Sequence, residues 1–181
     1  MYRKIAVIVA AVILVPIVAI LGYAATKSDT FRVQRSTSIK APPDQIFPLL
    51  NDFQRWTEWS PWEKLDPNLK RTYSGPTSGP GAVYAWAGND QVGKGRIEIT
   101  EAAEPSRVLI KLDFVEPFEG HMVTEYTLTQ QGDATDLTWT THGSRPYIAK
   151  VMSCFIDCDK MIGKDFETGL ANLKAIAEKR P

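Results

Sequence analysis

The sequence predicts an α+β domain in which a curved antiparallel sheet wraps around a long C-terminal helix, preceded by one transmembrane helix. Three observations predict it. The opening 25 residues are almost wholly apolar, the stretch from 69 to 143 alternates apolar and polar residues, and from about Tyr147 the apolar period lengthens to that of a helix.

From Ile5 to Ala25 no residue is charged, and only Pro16 and Gly22 interrupt the apolar run. At 1.5 Å per residue such a helix spans roughly 30 Å, the thickness of a bilayer's hydrocarbon core. Arg3 and Lys4 precede it and Lys27 follows, a bias that keeps the N-terminus in the cytoplasm. The expectation is a single-pass anchor in the cell (inner) membrane, with the C-terminal domain outside the cytoplasm. A cleaved signal peptide is the alternative, with Gly22-Tyr23-Ala24 as a small-x-small site, but signal cores usually run only about 7–15 residues. No lipobox cysteine is present. The chain thus divides into an anchor over 1–25, a polar linker over 26–30 and one domain over 31–181.

The whole chain balances 21 Lys and Arg against 21 Asp and Glu, which argues against a nucleic-acid partner. With 23% charged and 10% aromatic residues it is not a disordered chain. Its two cysteines form neither a disulfide framework nor a CxxC pair. Without the first 25 residues the hydrophobic fraction falls from 44% to about 38%, and 19 basic residues face 21 acidic ones. The remainder is of ordinary size for one domain with one core.

Phe31 to Ile39 alternates as a strand. Ala41-Pro42-Pro43-Asp44 ends it and starts a helix whose apolar positions are Ile46, Phe47, Leu49, Leu50 and Phe53, kept short or kinked by Pro48. A tryptophan-rich turn follows over Arg55 to Trp62. Strands are expected near 69–74, 81–88, 92–102, 106–115, 119–130 and 134–143, punctuated by Gly, Pro, Asn and Asp. Period two puts Tyr84, Trp86, Ile97, Ile99, Val108, Ile110, Leu112, Phe114, Met122, Tyr126, Leu128, Leu137 and Trp139 on the inner face. Lys111, Asp113, Glu125 and Thr138 fall on a wet face. From about Tyr147 to Glu178 one helical stripe carries Ile148, Met152, Phe155, Ile162, Phe166, Leu173 and Ile176.

This order resembles the helix-grip fold of the START/Bet v 1-like superfamily, and more closely its bacterial SRPBCC, or polyketide cyclase/dehydrase-like, proteins. The residues that carry the likeness are Ile39-Lys40-Ala41-Pro42-Pro43-Asp44-Gln45-Ile46-Phe47, then Trp56-Thr57-Glu58-Trp59-Ser60-Pro61-Trp62, similar to a W-x-x-W-S-P-W signature, and the closing helix Ile162 to Lys174. The resemblance covers Phe31 to the end. It implies a cavity between sheet and helix, while the superfamily's functions range over lipid carriers, quinone-binding proteins, cyclases and co-chaperone domains.

Trp56, Trp59 and Trp62 at three-residue spacing, with Trp86 and Trp139 on inner strand positions, read as an aromatic-lined cavity under a tryptophan lid. The plainer reading is that they fill a small core. Ligand-binding candidates are Trp56, Trp59, Trp86, Phe114, Tyr126, Trp139 and Phe155, with Thr124 or Thr141 to hydrogen-bond a polar group. Asp159 on the helical stripe is a candidate anchor or acid, unless a helix break near Asp157 to Lys160 leaves it in solvent, the favoured reading. A turn at Gln131-Gly132 would set His121 opposite His142, Met122 opposite Thr141 and Thr124 opposite Trp139, with both histidines on the wet face. No metal site, cofactor or catalytic residue is assigned. Cys154 and Cys158 read as free thiols on one helical face. Phosphate loops, GxSxG, HExxH and Cys-His pairs are missing from the sequence.

The expected function is binding, transport or sequestration of a hydrophobic small molecule or lipid at the membrane surface. The alternatives are a polyketide cyclase/dehydratase-like enzyme using Asp159 or Tyr126, and a protein-interaction domain with a filled core.

Overall fold

The computed structural model describes residues 2–179, without the side chains of 6–10. The chain divides into two compact units. Each is drawn from separated segments: one from the chain up to Phe31 together with Ser144–Cys158, the other from Arg32–Gly143 together with the segment that begins at Asp159.

In the first unit, helix α1 runs unbroken over Tyr2–Ala25, with Pro16 inside it. Among the described residues no helix is long and apolar enough to cross a membrane. The anchor expected over 1–25 passes through residue 1 and the side chains of 6–10, which lie outside the described residues. The unit's second element is the short helix α4, Tyr147–Met152. Tyr147 donates its hydroxyl to the Leu21 carbonyl at 2.8 Å, Lys27 Nζ donates to the Ser153 carbonyl at 2.8 Å, and Lys150 pairs with Asp29.

The second unit is built on a seven-stranded sheet: β1 (Thr30–Ile39), β2 (Lys70–Ser74), β3 (Val83–Ala87), β4 (Lys94–Ala103), β5 (Arg107–Glu116), β6 (Gly120–Gln131) and β7 (Ala134–Ser144). Its order is β1-β7-β6-β5-β4-β3-β2, and from β2 to β7 each neighbour is antiparallel. Helix α2 (Pro43–Asn51) and the single turn α3 (Trp56–Trp59) follow β1, and the long helix α5 covers Cys158–Ala177. Pro43 opens α2 at a position whose N–H needs no helical partner. The core is what the alternation requires. Ile97, Ile99, Val108, Ile110, Tyr126, Leu128, Leu137 and Trp139 are buried on the sheet, against Phe166, Leu170 and Leu173 of α5.

Two expectations need correcting. The helical stripe from Tyr147 is not one helix: α4 ends at Met152, a turn follows, and α5 starts at Cys158. Ile148 and Met152 are exposed on α4, where Lys150, paired with Asp29, is the buried residue, and Phe155 is exposed in the turn beyond it. The β6–β7 turn is Gly132-Asp133, so Met122 faces Gly143, Thr124 faces Thr141 and Tyr126 faces Trp139. Such a two-residue turn needs a positive φ at its first central residue, and Gly132 supplies it at 63°. The pairing differs by two positions, so every side chain keeps its expected face.

Candidate functional site

Between the sheet and α5 of the second unit lies a cavity of about 310 Å³. Its floor is the inner face of the central strands: Ile97 of β4, Ile110, Leu112 and Phe114 of β5, Met122, Thr124 and Tyr126 of β6, and Trp139 and Thr141 of β7. Its other walls come from Trp56, Ser60, Trp62 and Glu63 after α2, from Tyr84 and Trp86 of β3, and from Met161, Ile162, Asp165 and Phe166 of α5.

The aromatic wall is fixed by edge and face contacts. Trp139 stacks on Phe166 with ring centres 4.0 Å apart, tying β7 to α5. Trp62 meets Trp139 edge-on at 5.8 Å, and Trp86 meets Phe114 edge-on at 5.5 Å. Trp56 and Trp86 spend their indole N–H groups on the carbonyls of Leu50 and Val92. With their N–H groups satisfied, the Trp56 and Trp86 indoles leave apolar ring surface toward the cavity.

Polar groups are few and placed. Thr124 and Thr141 face each other across β6 and β7 and share a hydrogen bond of 2.7 Å, both buried. One hydroxyl donates to the other, leaving one hydrogen of the pair and spare lone pairs for a ligand. Glu63 is buried at the wall, where it accepts from Arg71 Nε at 2.6 Å and from the Tyr84 hydroxyl at 2.6 Å. Burial, and then the Glu63 carboxylate, drive the Tyr84 pKa far above its ordinary value. Burial alone does the same to Tyr126. Both phenols are therefore protonated at any physiological pH. Two polar atoms of wall residues, Tyr126 Oη and Trp139 Nε1, are buried without a hydrogen-bond partner.

Of the residues named from sequence, the cavity brings together Trp56, Trp86, Phe114, Thr124, Tyr126, Trp139 and Thr141. Three lie elsewhere. Trp59 is completely buried behind the wall and donates its indole N–H to the Leu49 carbonyl at 2.9 Å. With α3 only one turn long, it faces α2 while Trp56 and Trp62 face the cavity. Phe155 belongs to the other unit and is 71% exposed. Asp159, in the first turn of α5, is exposed and pairs with Arg35 of β1 at 3.0 Å. Sequence reasoning missed Glu63, whose partners Arg71 and Tyr84 lie on other elements, and Asp165, which opens on the cavity one turn before Gly169.

The histidines do not meet. His121 binds Asp113 at 2.6 Å, and His142 lies opposite Val123. Burial would raise the Asp113 pKa, but hydrogen bonds from His121 and Lys111 outweigh it and hold the carboxyl below its usual range. Among the described residues no group of three or more His, Cys, Asp or Glu is placed to hold a metal ion. Cys154 and Cys158 are free thiols, one in the turn after α4 and one at the start of α5.

A family model described as polyketide cyclase/dehydrase and lipid transport matches residues 30–178. Among solved structures, protein CV1439 from Chromobacterium violaceum aligns with a TM-score of 0.58 at 17% identity, over 83% of this chain and 97% of its own. The ginseng major latex-like protein 151 from Panax ginseng aligns at 0.60 and 13% identity, over 83% and 99%. The di-domain ARO/CYC BexL of the BE-7585A biosynthetic pathway aligns at 0.62 and 15% identity, over 89% of this chain and 54% of its own. At these identities the likeness is one of fold. No curated protein matches the chain in sequence.

Proposed function

We propose, on the premise that the chain belongs to the polyketide cyclase/dehydrase and lipid transport family, that it binds a hydrophobic small molecule or lipid in the cavity, at a membrane to which α1 anchors it. The observation that carries the binding reading is the cavity itself. It is an apolar, aromatic-walled space of about 310 Å³ with one hydroxyl pair in its floor. That volume falls at the small end of ligand pockets, which run from roughly 300 to 1,000 Å³. It suits a single ring system or a short acyl chain, with the Thr124–Thr141 pair orienting one carbonyl or hydroxyl oxygen.

The anchor reading rests on chemistry that the fold leaves unanswered. Val12, Ile13, Leu14, Val15, Ile17 and Val18 of α1 are all exposed, so nothing in the protein covers them. An uncharged run from Ile5 to Ala25 with Arg3 and Lys4 at one end finds that cover in a bilayer. The predicted topology places the C-terminal domain outside the cytoplasm.

An acid/base reaction draws less support. The Asp159 carboxylate is spent on Arg35 outside the cavity, and the Tyr126 phenol is held protonated. A protein-interaction domain with a filled core would not leave this space open.

Native mass spectrometry of the full chain, purified from its own membrane into nanodiscs, tests binding directly. A retained apolar ligand, or saturable uptake of fluorescent fatty acids or quinones, is expected. A ligand-free mass together with no uptake of either probe class overturns the reading.

A further inference from the structure

We propose that the segment from Tyr147 to Ile156 is a membrane-surface docking element that lies in the interface of the bilayer beside the exit of α1. The inference rests on the anchor reading of α1 and goes beyond it, since a single-pass helix needs no second lipid contact.

The first observation is that this segment is inside out. Lys150, its cation, is buried, with its ammonium on Asp29. Its large apolar residues face outward: Ile148 is 65% exposed and Phe155 71%, with Met152 and Ile156 also exposed. A surface helix in water does the reverse, hiding isoleucine and phenylalanine and showing lysine. Four large apolar side chains exposed within nine residues mark a contact surface rather than scattered exposure.

The second observation fixes what covers them. The Tyr147 hydroxyl donates to the carbonyl of Leu21, one turn before the apolar run of α1 ends at Ala25. The first residue of α4 is therefore held at the depth where the spanning helix leaves the hydrocarbon. Lys27, just past the helix, holds the far end of α4 through the Ser153 carbonyl, and its ammonium stands 5.2 Å from the centre of the Tyr23 ring. Two tyrosines at the helix exit with a lysine just beyond them make up the belt that proteins place at the headgroup level. The Tyr147 hydroxyl, the Lys150 ammonium and the Ser153 carbonyl are thus engaged by α1 and the linker, the Ser153 hydroxyl bonds within the segment, and its apolar side is left to the lipid. A short element of this kind buries its side chains about 5–10 Å into the headgroup and acyl boundary.

The test uses the full chain in nanodiscs. With Cys154 and Cys158 replaced by serine, a polarity-sensitive fluorophore is placed singly by Ile148→Cys, Met152→Cys and Phe155→Cys. Each label is challenged with nitroxide-bearing phospholipid and with aqueous iodide. Blue-shifted emission is expected at all three positions, with quenching by the nitroxide lipid at least about twofold stronger than by iodide. Cross-linking of the unsubstituted chain to a photoactivatable phospholipid, expected within residues 147–156, repeats the measurement without any substitution. Carbonate extraction of native membranes separates the two readings. A chain that resists extraction while its labels stay open to iodide overturns the docking element and leaves the anchor standing. Labels shielded from both quenchers point to a covering protein and also overturn it. A chain released by carbonate overturns the anchor, and the docking element falls with it.

Discussion

Tyr84 of β3 donates its hydroxyl to one carboxylate oxygen of Glu63 at 2.6 Å, while Arg71 of β2 holds the other at the same distance. This closes one end of the cavity with a charge that is fully hydrogen-bonded rather than offered to a ligand. The Glu63 side chain is 5% exposed and that of Arg71 is 30%. Glu63→Ala leaves the phenol and the guanidinium without their acceptor. Breaking a fully buried pair costs about 3–5 kcal/mol, and access of Arg71 to water brings the expectation to about 2–3 kcal/mol. Tyr84→Phe removes one bond to a charged acceptor, about 1–3 kcal/mol. Thermal unfolding of the full chain in detergent checks both, and a loss below 0.5 kcal/mol for Glu63→Ala, about the noise of a surface substitution, refutes the ordering.

Alkaline pH should destabilise the fold through its tyrosines. Tyr84 and Tyr126 have pKa values raised in the folded state, Tyr84 by burial and then by Glu63, Tyr126 by burial. A raised phenol stabilises the native state fully below the unfolded value of about 10, and the contribution is lost as pH climbs from there toward the folded value. Each such tyrosine should cost about 1.4 kcal/mol per pH unit above about 10. Unfolding midpoints at a series of pH values from 8 to 11, about the range that brackets the model phenol, should fall less steeply for Tyr84→Phe.

The Thr124–Thr141 pair separates ligand classes. Thr141→Val removes one hydroxyl and strips the remaining one of its partner across the strands. A ligand bearing a carbonyl should lose about five- to tenfold in affinity, the worth of one hydrogen bond, whereas a pure hydrocarbon chain should bind unchanged. Binding of a quinone and of the pure-hydrocarbon fluorophore diphenylhexatriene, measured side by side, reads the difference. Equal losses for both probes would show that the substitution acts through packing.

Period two made the sheet legible, because each strand from β3 to β7 buries alternate residues against one core and so writes its geometry into the chain. Six of the ten candidate ligand residues line the cavity for the same reason: Trp86, Phe114, Thr124, Tyr126, Trp139 and Thr141 are inner strand positions. Trp56 joins them from α3. Trp59 and Phe155 fall elsewhere because helical spacing places them across segments that are not continuous helix, whereas Asp159 stands in solvent, as the favoured helix-break reading expects. Phe155 lies inside the break between α4 and α5, where a periodicity carries no phase. Trp59 failed differently, because a one-turn helix has too few residues for spacing to say which way each points. The Glu63 network joins three elements, and no local pattern announces a pairing across 21 residues.

Trp59 should behave as scaffold. It is completely buried, its indole N–H is satisfied by Leu49, and its ring meets Trp56, Tyr126 and Trp139. Trp59→Ala is expected to cost about 3–5 kcal/mol. Trp59→Phe keeps most of the volume and should cost less, with ligand affinity within about twofold of the parent since the residue stands behind the wall. Unfolding and probe binding on the same samples separate the two effects, and a large affinity loss in Trp59→Phe at near-parental stability would place the ring in the site after all.

Gly95 of β4 holds open the place where Trp86 lies. The two residues are cross-strand partners, and a Cβ at Gly95 would stand 2.5 Å from Trp86 Cζ2, 2.6 Å from its Cη2 and 2.7 Å from the carbonyl oxygen of Asp113. The indole cannot swing freely, because its N–H is bound to the Val92 carbonyl at 2.9 Å and its ring packs perpendicular to that of Phe114. Gly95→Ala must therefore push a ring that forms cavity wall, or bend the strand. Overpacking of this kind costs about 1–3 kcal/mol. Ligand uptake should fall with it, because the displaced ring changes the shape of the space. Gly95→Ala combined with Trp86→Phe shortens the ring and gives room back, so the pair should recover at least half of the lost stability and part of the uptake. Coupling between the two substitutions, measured as a double-mutant cycle on thermal unfolding, is the quantity to read. Strict additivity would mean that the glycine serves the Asp113 backbone contact and not the tryptophan.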